Sequence, residues 1–251
     1  MKKIFLLFIL LFTFYGCFRE EDDTNQVCAS NCTILQGQVI TTNNQGISGI
    51  NLTFEFFKGA SLSSYTRLIS NINSNNNGNF FDKFYLNDQE IDQNSYGNLI
   101  LRIDENSLNA IEDIITPDLA NISLERWFDI NTRDTIIEQT YYFPKKTNVL
   151  VNLNNFIPIQ DNDRFEVQPL FPYGFKNPEP SNYNDILETI YAPTNGPIYK
   201  ATNTNNTFNV ILAQNEKNII RVYKVKNGVY TYDEIMLDVN SSSPNDITIE
   251  Y

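Results

Sequence analysis

Residues 33–57 read TILQGQVITTNNQGISGINLTFEFF, and residues 73–84 read NSNNNGNFFDKF. In the first stretch Ile50, Leu52, Phe54 and Phe56 alternate with Asn51, Thr53, Glu55 and Phe57. A period of two sends apolar side chains to one face and mostly polar ones to the other, the pattern of a half-buried strand. Leu35, Gly37 and Val39 repeat it more weakly upstream. Between the two runs, Asn43 to Gly49 is dense in Asn, Ser and Gly, which accept left-handed backbone or bond their own main chain. Asn75-Asn76-Asn77-Gly78-Asn79 does the same ahead of Phe80, Phe81 and Phe84. The pattern predicts strand, turn, strand, strand, turn, strand.

The same alternation continues outward. Leu99, Leu101 and Ile103 mark a strand over 98–104, and residues 121–130 and 134–143 read as two more. Between them Leu108, Ile111 and Ile115 recur at helical spacing, which predicts a helix over 106–115 capped by Asn106 or Ser107. Pro144-Lys145-Lys146 marks a boundary. Beyond it, Val149, Val151 and Leu153 alternate, as do Phe165 and Val167, and Phe208, Val210 and Leu212. Residues 219–239, IIRVYKVKNGVYTYDEIMLDV, place Asn227-Gly228 between two alternating arms, the preferred pair for a two-residue type I′ hairpin turn. Residues 246–251 form a last strand. With no β-α-β alternation, the second half reads as an antiparallel sandwich of immunoglobulin or fibronectin type. The fold class is therefore all-β. Two antiparallel β-sandwich domains, 33–145 and 146–251, stand in tandem after a signal peptide and a short acidic tether.

A family resemblance rests on Gly37, Val39, Ile47-Ser48-Gly49-Ile50, Leu52 and Phe54, followed by Asn76-Asn77-Gly78-Asn79-Phe80. These resemble the carboxypeptidase-regulatory-like domains, prealbumin-like sandwiches of secreted and surface proteins in Bacteroidetes-type bacteria. Where that family carries Thr-Asp before the second turn, this chain has Ser74-Asn75. The resemblance covers 33–104. It implies a sandwich that serves as an adjunct to many partners, and no particular activity.

Residues 1–16 read as a secretory signal: Lys2 and Lys3, then an apolar run too short for a membrane span. Gly16-Cys17 at its end resembles the lipobox of bacterial lipoproteins, which implies a lipid on Cys17 and membrane attachment through it. Glu20-Glu21-Asp22-Asp23 follows at once. Such a run is a solvated tether, and it also resembles the signal that sends lipoproteins to the outer face of the outer membrane. Residues 17–32 are thus the tether.

The chain has 30 acidic and 18 basic side chains, a formal charge of −12, and no histidine. The charge disfavours nucleic acid and anionic lipid as partners. The missing histidine excludes Ser-His-Asp and Cys-His machinery and His-ligated zinc. In an exported protein Cys28 and Cys32 read as a disulfide pair. Asp104-Glu105, Glu112-Asp113 and Asp161-Asn162-Asp163 match no calcium loop and read as solvated turns. No cofactor and no metal is expected.

Four aromatics are binding candidates. Trp127 reads as core or, if exposed, as a stacking platform. Residues 169–197 interleave six prolines with Phe171, Tyr173 and Phe175 and read as an irregular loop, either packed on the sandwich or open to a ligand. Asp134-Thr135-Ile136 resembles the acceptor for O-glycosylation in Bacteroidetes-type bacteria, which implies a glycan on Thr135. The expected function is a non-catalytic accessory or adhesion-like module of a cell-surface lipoprotein, with a protein or glycan ligand. One rival is the glycan-binding component of a polysaccharide-uptake system. Another is a carboxylate enzyme, which would need two opposed acids across a cleft.

Overall fold

A computed structural model describes residues 28–60, 63–91, 97–176, 181–240 and 246–251. The signal segment, Cys17 and the acidic run lie outside these residues.

In chain order the first half forms β1 (Thr33–Thr41), β2 (Gln45–Gly46), β3 (Asn51–Ala60), β4 (Ser63–Asn73) and β5 (Asn79–Phe84). A short helix α1 (Asp88–Ile91), β6 (Gly97–Ile103), helices α2 (Glu105–Asn109) and α3 (Pro117–Ala120), β7 (Arg126–Phe128) and β8 (Ile136–Tyr142) follow. The second half forms β9 (Lys146–Asn154), β10 (Arg164–Lys176), helix α4 (Asn182–Ile186), β11 (Tyr191–Asn195) and β12 (Tyr199–Lys200). It closes with β13 (Asn206–Ala213), β14 (Lys217–Lys226), β15 (Val229–Asp238) and β16 (Asp246–Glu250).

The alternation in β3 builds the first core. Leu52, Phe54 and Phe56 point inward and are buried with Ile50, and Phe54 stacks on Phe84 at 5.2 Å between ring centres. Each such side chain contributes about 1.5–3 kcal/mol by leaving water. One layer of this sandwich is the sheet β4-β3-β6-β7. The other holds β2, β1, β5 and β8. The turn before β5 is pinned by Asn75, whose Oδ1 accepts from the N–H of Asn77 and of Asn79 at 2.9 and 3.0 Å. Gly78 lies at φ +75°, and a Cβ there would sit 2.2 Å from the Val39 carbonyl oxygen, so the turn admits only glycine.

The second sandwich sets β13-β9-β16 against β10, β14, β15 and β12. Val149, Val151, Phe165, Val167, Val210, Leu212, Ile220 and Val222 fill its core. Pairing is antiparallel throughout, except that β1 runs parallel to β8 and β9 parallel to β16. Each sandwich thus brings its first and last strands side by side.

The two sandwiches share one nine-stranded sheet, because β10 belongs to both. Its first half pairs with β14 from Arg164 to Leu170 and buries Phe165 and Val167 in the second core. Its far end pairs with β8 at Gly174 and Phe175 and sends Phe171 and Tyr173 into the first core.

Three expectations are corrected. Residues 169–197 are not one irregular loop: β10 runs through residue 176, with Pro169 opposite Ile220 and Pro172 opposite Pro193. Proline removes a donor without forbidding an extended backbone, and burial of Phe171 and Tyr173 outweighs that loss. The helix expected over 106–115 is the five-residue α2, capped by Asp104, whose Oδ1 accepts from the Asn106 N–H at 3.1 Å. It ends at Asn109, and beyond it Ile114 bridges to Lys145 and the Ile115 N–H donates to the Pro144 carbonyl, so both isoleucines reach the core from outside a helix. The strand expected over 121–130 shrinks to β7.

Candidate binding face

The β14–β15 hairpin carries two exposed tyrosines, Tyr230 and Tyr232, on one face of one strand. Its turn is Asn227-Gly228, at φ 53° and 76°, with Lys226 opposite Val229. Both turn residues are left-handed, as a type I′ turn requires. Asp163 holds the turn from outside the hairpin. Its Oδ2 accepts from the Ile159 N–H at 2.8 Å and the Gln160 N–H at 3.1 Å, and its Oδ1 accepts from the Asn227 N–H at 2.9 Å. These N–H donors, that of Ile159 foremost, hold the Asp163 carboxyl below the usual range, against a burial effect of opposite sign. The residue is buried and not a solvated turn acid, because it serves as a cap for three backbone donors.

Alternation then sorts the hairpin into two faces. Ile220 and Val222 face the second core, with Ile235 and Leu237 packed at its margin. The opposite face carries Arg221, Tyr223 and Val225 on β14, matched by Glu234, Tyr232 and Tyr230 on β15. Tyr230 and Tyr232 are 56 % and 55 % exposed, and Met236 is 72 % exposed. Tyr223 and Tyr230 lie 6.3 Å apart, ring to ring. Glu166 and Gln168 of β10 continue the row, and the Tyr223 hydroxyl lies 3.5 Å from Gln168 Oε1.

One end of this face is roofed by α4. Tyr183 stacks under the Arg221 guanidinium at 4.5 Å and donates its hydroxyl to Glu234 at 3.1 Å. Arg221 in turn donates to Glu234 and to Asn195, at 2.8 and 2.9 Å. Burial, and then the Glu234 acceptor, push the Tyr183 hydroxyl pKa up. The roof fixes the polar groups at one end and leaves Tyr230 and Tyr232 uncovered.

The expected site residues do not gather here. Trp127 is 55 % exposed on β7, at the edge of the four-stranded sheet, opposite Ile100. Phe171 and Tyr173 are fully buried, and Tyr173 meets Phe143 edge-on at 5.3 Å. Neither can offer a surface, since both are inward-facing residues of β10. Phe175 is half-buried beneath the Arg126 guanidinium, 4.3 Å away. Thr135 is half-buried just before β8, and its hydroxyl donates to the Thr132 carbonyl at 2.7 Å. Cys28 and Cys32 are joined by a disulfide ahead of β1, with Cα atoms 5.7 Å apart.

A recess at the junction of the two sandwiches is lined by Asn43, Asn44, Tyr142, Glu188, Tyr191 and Glu216. Tyr142 donates its hydroxyl to Glu216 and stacks on Tyr191 at 4.4 Å, while Glu188 pairs with Lys217. Burial pushes the Glu216 pKa up despite that hydroxyl. Both acids already hold partners within the fold. Among the described residues, no three His, Cys, Asp or Glu side chains converge as metal ligands.

No known family profile matches the chain, and no curated protein matches it in sequence. Among solved structures, a streptococcal ancillary pilin is similar over 89 % of this chain at 9 % identity and a TM-score of 0.31. This chain spans 63 % of that pilin. The shaft pilin SpaA from Lactobacillus rhamnosus GG is similar over 87 % of this chain and 97 % of its own, at 10 % identity and a TM-score of 0.28. BcpA, the major pilin subunit of Bacillus cereus, gives 85 % and 69 %, 10 % identity and 0.28. Similarity at this level carries no argument about function.

Proposed function

We propose that the chain is a non-catalytic binding module displayed on a bacterial cell surface, which engages its ligand through the outer face of β14 and β15. The observation that carries this reading is the pair Tyr230 and Tyr232, exposed beside Tyr223 on a sheet held rigid by the core behind it. Tyrosines of this kind supply apolar contact area with a polar tip at low entropic cost. Beads coated with the chain from Cys28 onward should adhere to one or more of a panel of polysaccharide and protein coats above an albumin control. The double variant Tyr230→Ala/Tyr232→Ala should lose that adherence while melting like the parent. Parent beads that stay at the control level on every coat would overturn the reading.

A glycan is a second reading, favoured by the flanking Glu166, Gln168 and Arg221, which could meet sugar hydroxyls while the rings stack. Adherence confined to polysaccharide coats would select it.

We assign 33–145, completed by Phe171 and Tyr173 at the far end of β10, to a carboxypeptidase-regulatory-like sandwich and the rest of 146–251 to an immunoglobulin-like one, on the motif residues and the strand pattern. We further propose that a lipid on Cys17 anchors the chain to the outer membrane. No helix among the described residues is long and apolar enough to cross a membrane. Cys17→Ser should move the protein from the membrane fraction to the soluble one. Continued sedimentation with membranes would make the apolar segment itself the anchor.

A further inference from the structure

We infer that the free edge of β15 is a docking site for an extended peptide strand whose side chains alternate between basic and apolar. The inference deepens the proposed function and rests on its reading of β15 as the binding element.

β15 ends the nine-stranded sheet, and among the described residues no strand pairs with its outer edge. It is ten residues long, contains no proline, and pairs with β14 from Val229 to Asp238 without a register shift. Folded proteins blunt such edges with prolines, bulges, short strands or lysines. Of the other long edge strands, β4 is blunted by a register shift beside Phe54 and Glu55 and by Arg67, buried in an ion pair with Glu90. On the eight-residue β13 the outward N–H groups of Ile211 and Ala213 donate to the Tyr199 hydroxyl and to Asn218 Oδ1 at 3.2 and 2.8 Å. β7 is three residues long and β16 five. β15 is the long, regular edge strand whose outward main-chain groups hold no partner among the described residues from Tyr230 to Met236.

The edge geometry follows from the turn. In a two-residue hairpin the residues flanking the turn form a hydrogen-bonded pair, and bonded and non-bonded pairs then alternate. Val229 is therefore bonded to Lys226. The N–H and C=O groups of Tyr230, Tyr232, Glu234 and Met236 point away from β14, toward open edge. An added strand would find four consecutive ladder positions ready, which is the mode of strand addition.

The side chains specify the occupant. On the outer face an added strand would lie beside Tyr230, Tyr232 and Glu234. A cation is at home over such rings: in this same region Arg221 lies 4.5 Å from the Tyr183 ring and Lys226 lies 4.7 Å from the Tyr251 ring. On the inner face it would lie beside Ile235 and Leu237, half-buried at the margin of the second core, which apolar side chains would cover. Asp233 sits between Thr231 and Ile235 on that face and is exposed. An inward-facing charge on an edge discourages pairing with like strands. Glu234, the acid on the outer face, is already shared by Arg221 and Tyr183, so the rings of Tyr230 and Tyr232 supply the attraction for a cation on an added strand.

The test uses capped octapeptides as probes: one alternating Lys and Val, one alternating Glu and Val, and a Lys–Val peptide with a central proline. Amide resonances of the chain from Cys28 onward are followed by NMR. The Lys–Val peptide should shift the β15 amides saturably and slow hydrogen exchange at Tyr230, Tyr232, Glu234 and Met236. The Glu–Val and proline peptides should bind at least about tenfold more weakly, since a like charge beside Glu234 and the ring faces is repelled and proline removes a ladder donor. Tyr232→Lys, which puts a like charge on the outer face where the basic side chains would lie, should, with the hairpin verified by its own spectrum, weaken the Lys–Val peptide by about tenfold or more and favour the Glu–Val one. The inference is overturned if the β15 amides do not respond, if the three peptides bind alike, or if the protection arises from dimers of the chain alone. Bead adherence that still depends on Tyr230 and Tyr232 would then leave the face as the binding element with its edge unused.

Discussion

The carboxylate of Asp163 accepts the backbone N–H of Asn227 at 2.9 Å, across 64 positions of sequence, and so ties the β14–β15 turn to the start of β10. With two further N–H groups on its other oxygen, it caps a turn it does not belong to. Asp163→Ala should lower the melting temperature and loosen the hairpin, seen as faster amide exchange at Asn227. The sign with pH follows from the lowered pKa. The Asp163 contribution is present above the ordinary carboxylate pKa and is lost as pH falls through the lowered one. The melting temperature of the parent should therefore drop on acidification more steeply than that of the alanine variant.

Gly228 sits at φ +76° in the same turn. An L residue pays about 1–2 kcal/mol in left-handed backbone, and a β-branched one resists it most. Gly228→Val should cost at least this much in chemical denaturation. A variant as stable as the parent would refute the turn geometry.

The opposite pH response is expected at Glu216. Its pKa is raised, chiefly by burial. A raised acid favours the fold most below its unfolded pKa, and that contribution is lost as pH rises through the folded value. Glu216→Gln keeps an acceptor for the Tyr142 hydroxyl and removes the charge. It should flatten the fall in stability as pH rises above the ordinary carboxylate range, and raise the melting temperature at neutral pH. A variant that melts lower than the parent at pH 7 would count against this.

Tyr173 is buried in the first core, and among the described residues its hydroxyl has no hydrogen-bond partner. An unmade bond of this kind costs about 1–3 kcal/mol. Tyr173→Phe should leave stability unchanged or raise it, measured by urea denaturation. A loss above about 1 kcal/mol would mean that the hydroxyl is satisfied after all.

What could be read from the sequence was local. Asn227-Gly228 between alternating arms specifies its hairpin within about twenty residues of chain, and the β3 alternation states its own core face. The misreadings were non-local. Pro169 and Pro172 signal a break in their own neighbourhood, and only the first core, built mostly from residues 33–143, explains why β10 stays extended past them. Asp163 looks like a solvated turn acid until Asn227 folds back on it. The candidate face shows the same limit. Alternation puts Tyr230 and Tyr232 on one side of a strand, but nothing local says that this side lacks a covering layer.

β10 has a bearing on the order in which the molecule can be built. Phe171 and Tyr173 occupy the first core, yet they follow β9, the opening strand of the second. A chain synthesised amino end first presents β1 to β8 well before it presents the two aromatics that complete their packing. The first sandwich must wait, unfinished, until residue 173 has emerged. By then β9 has emerged too, so completion of one unit overlaps with initiation of the other. A fragment cut at residue 145 would accordingly behave as an arrested assembly step and not as a self-sufficient half.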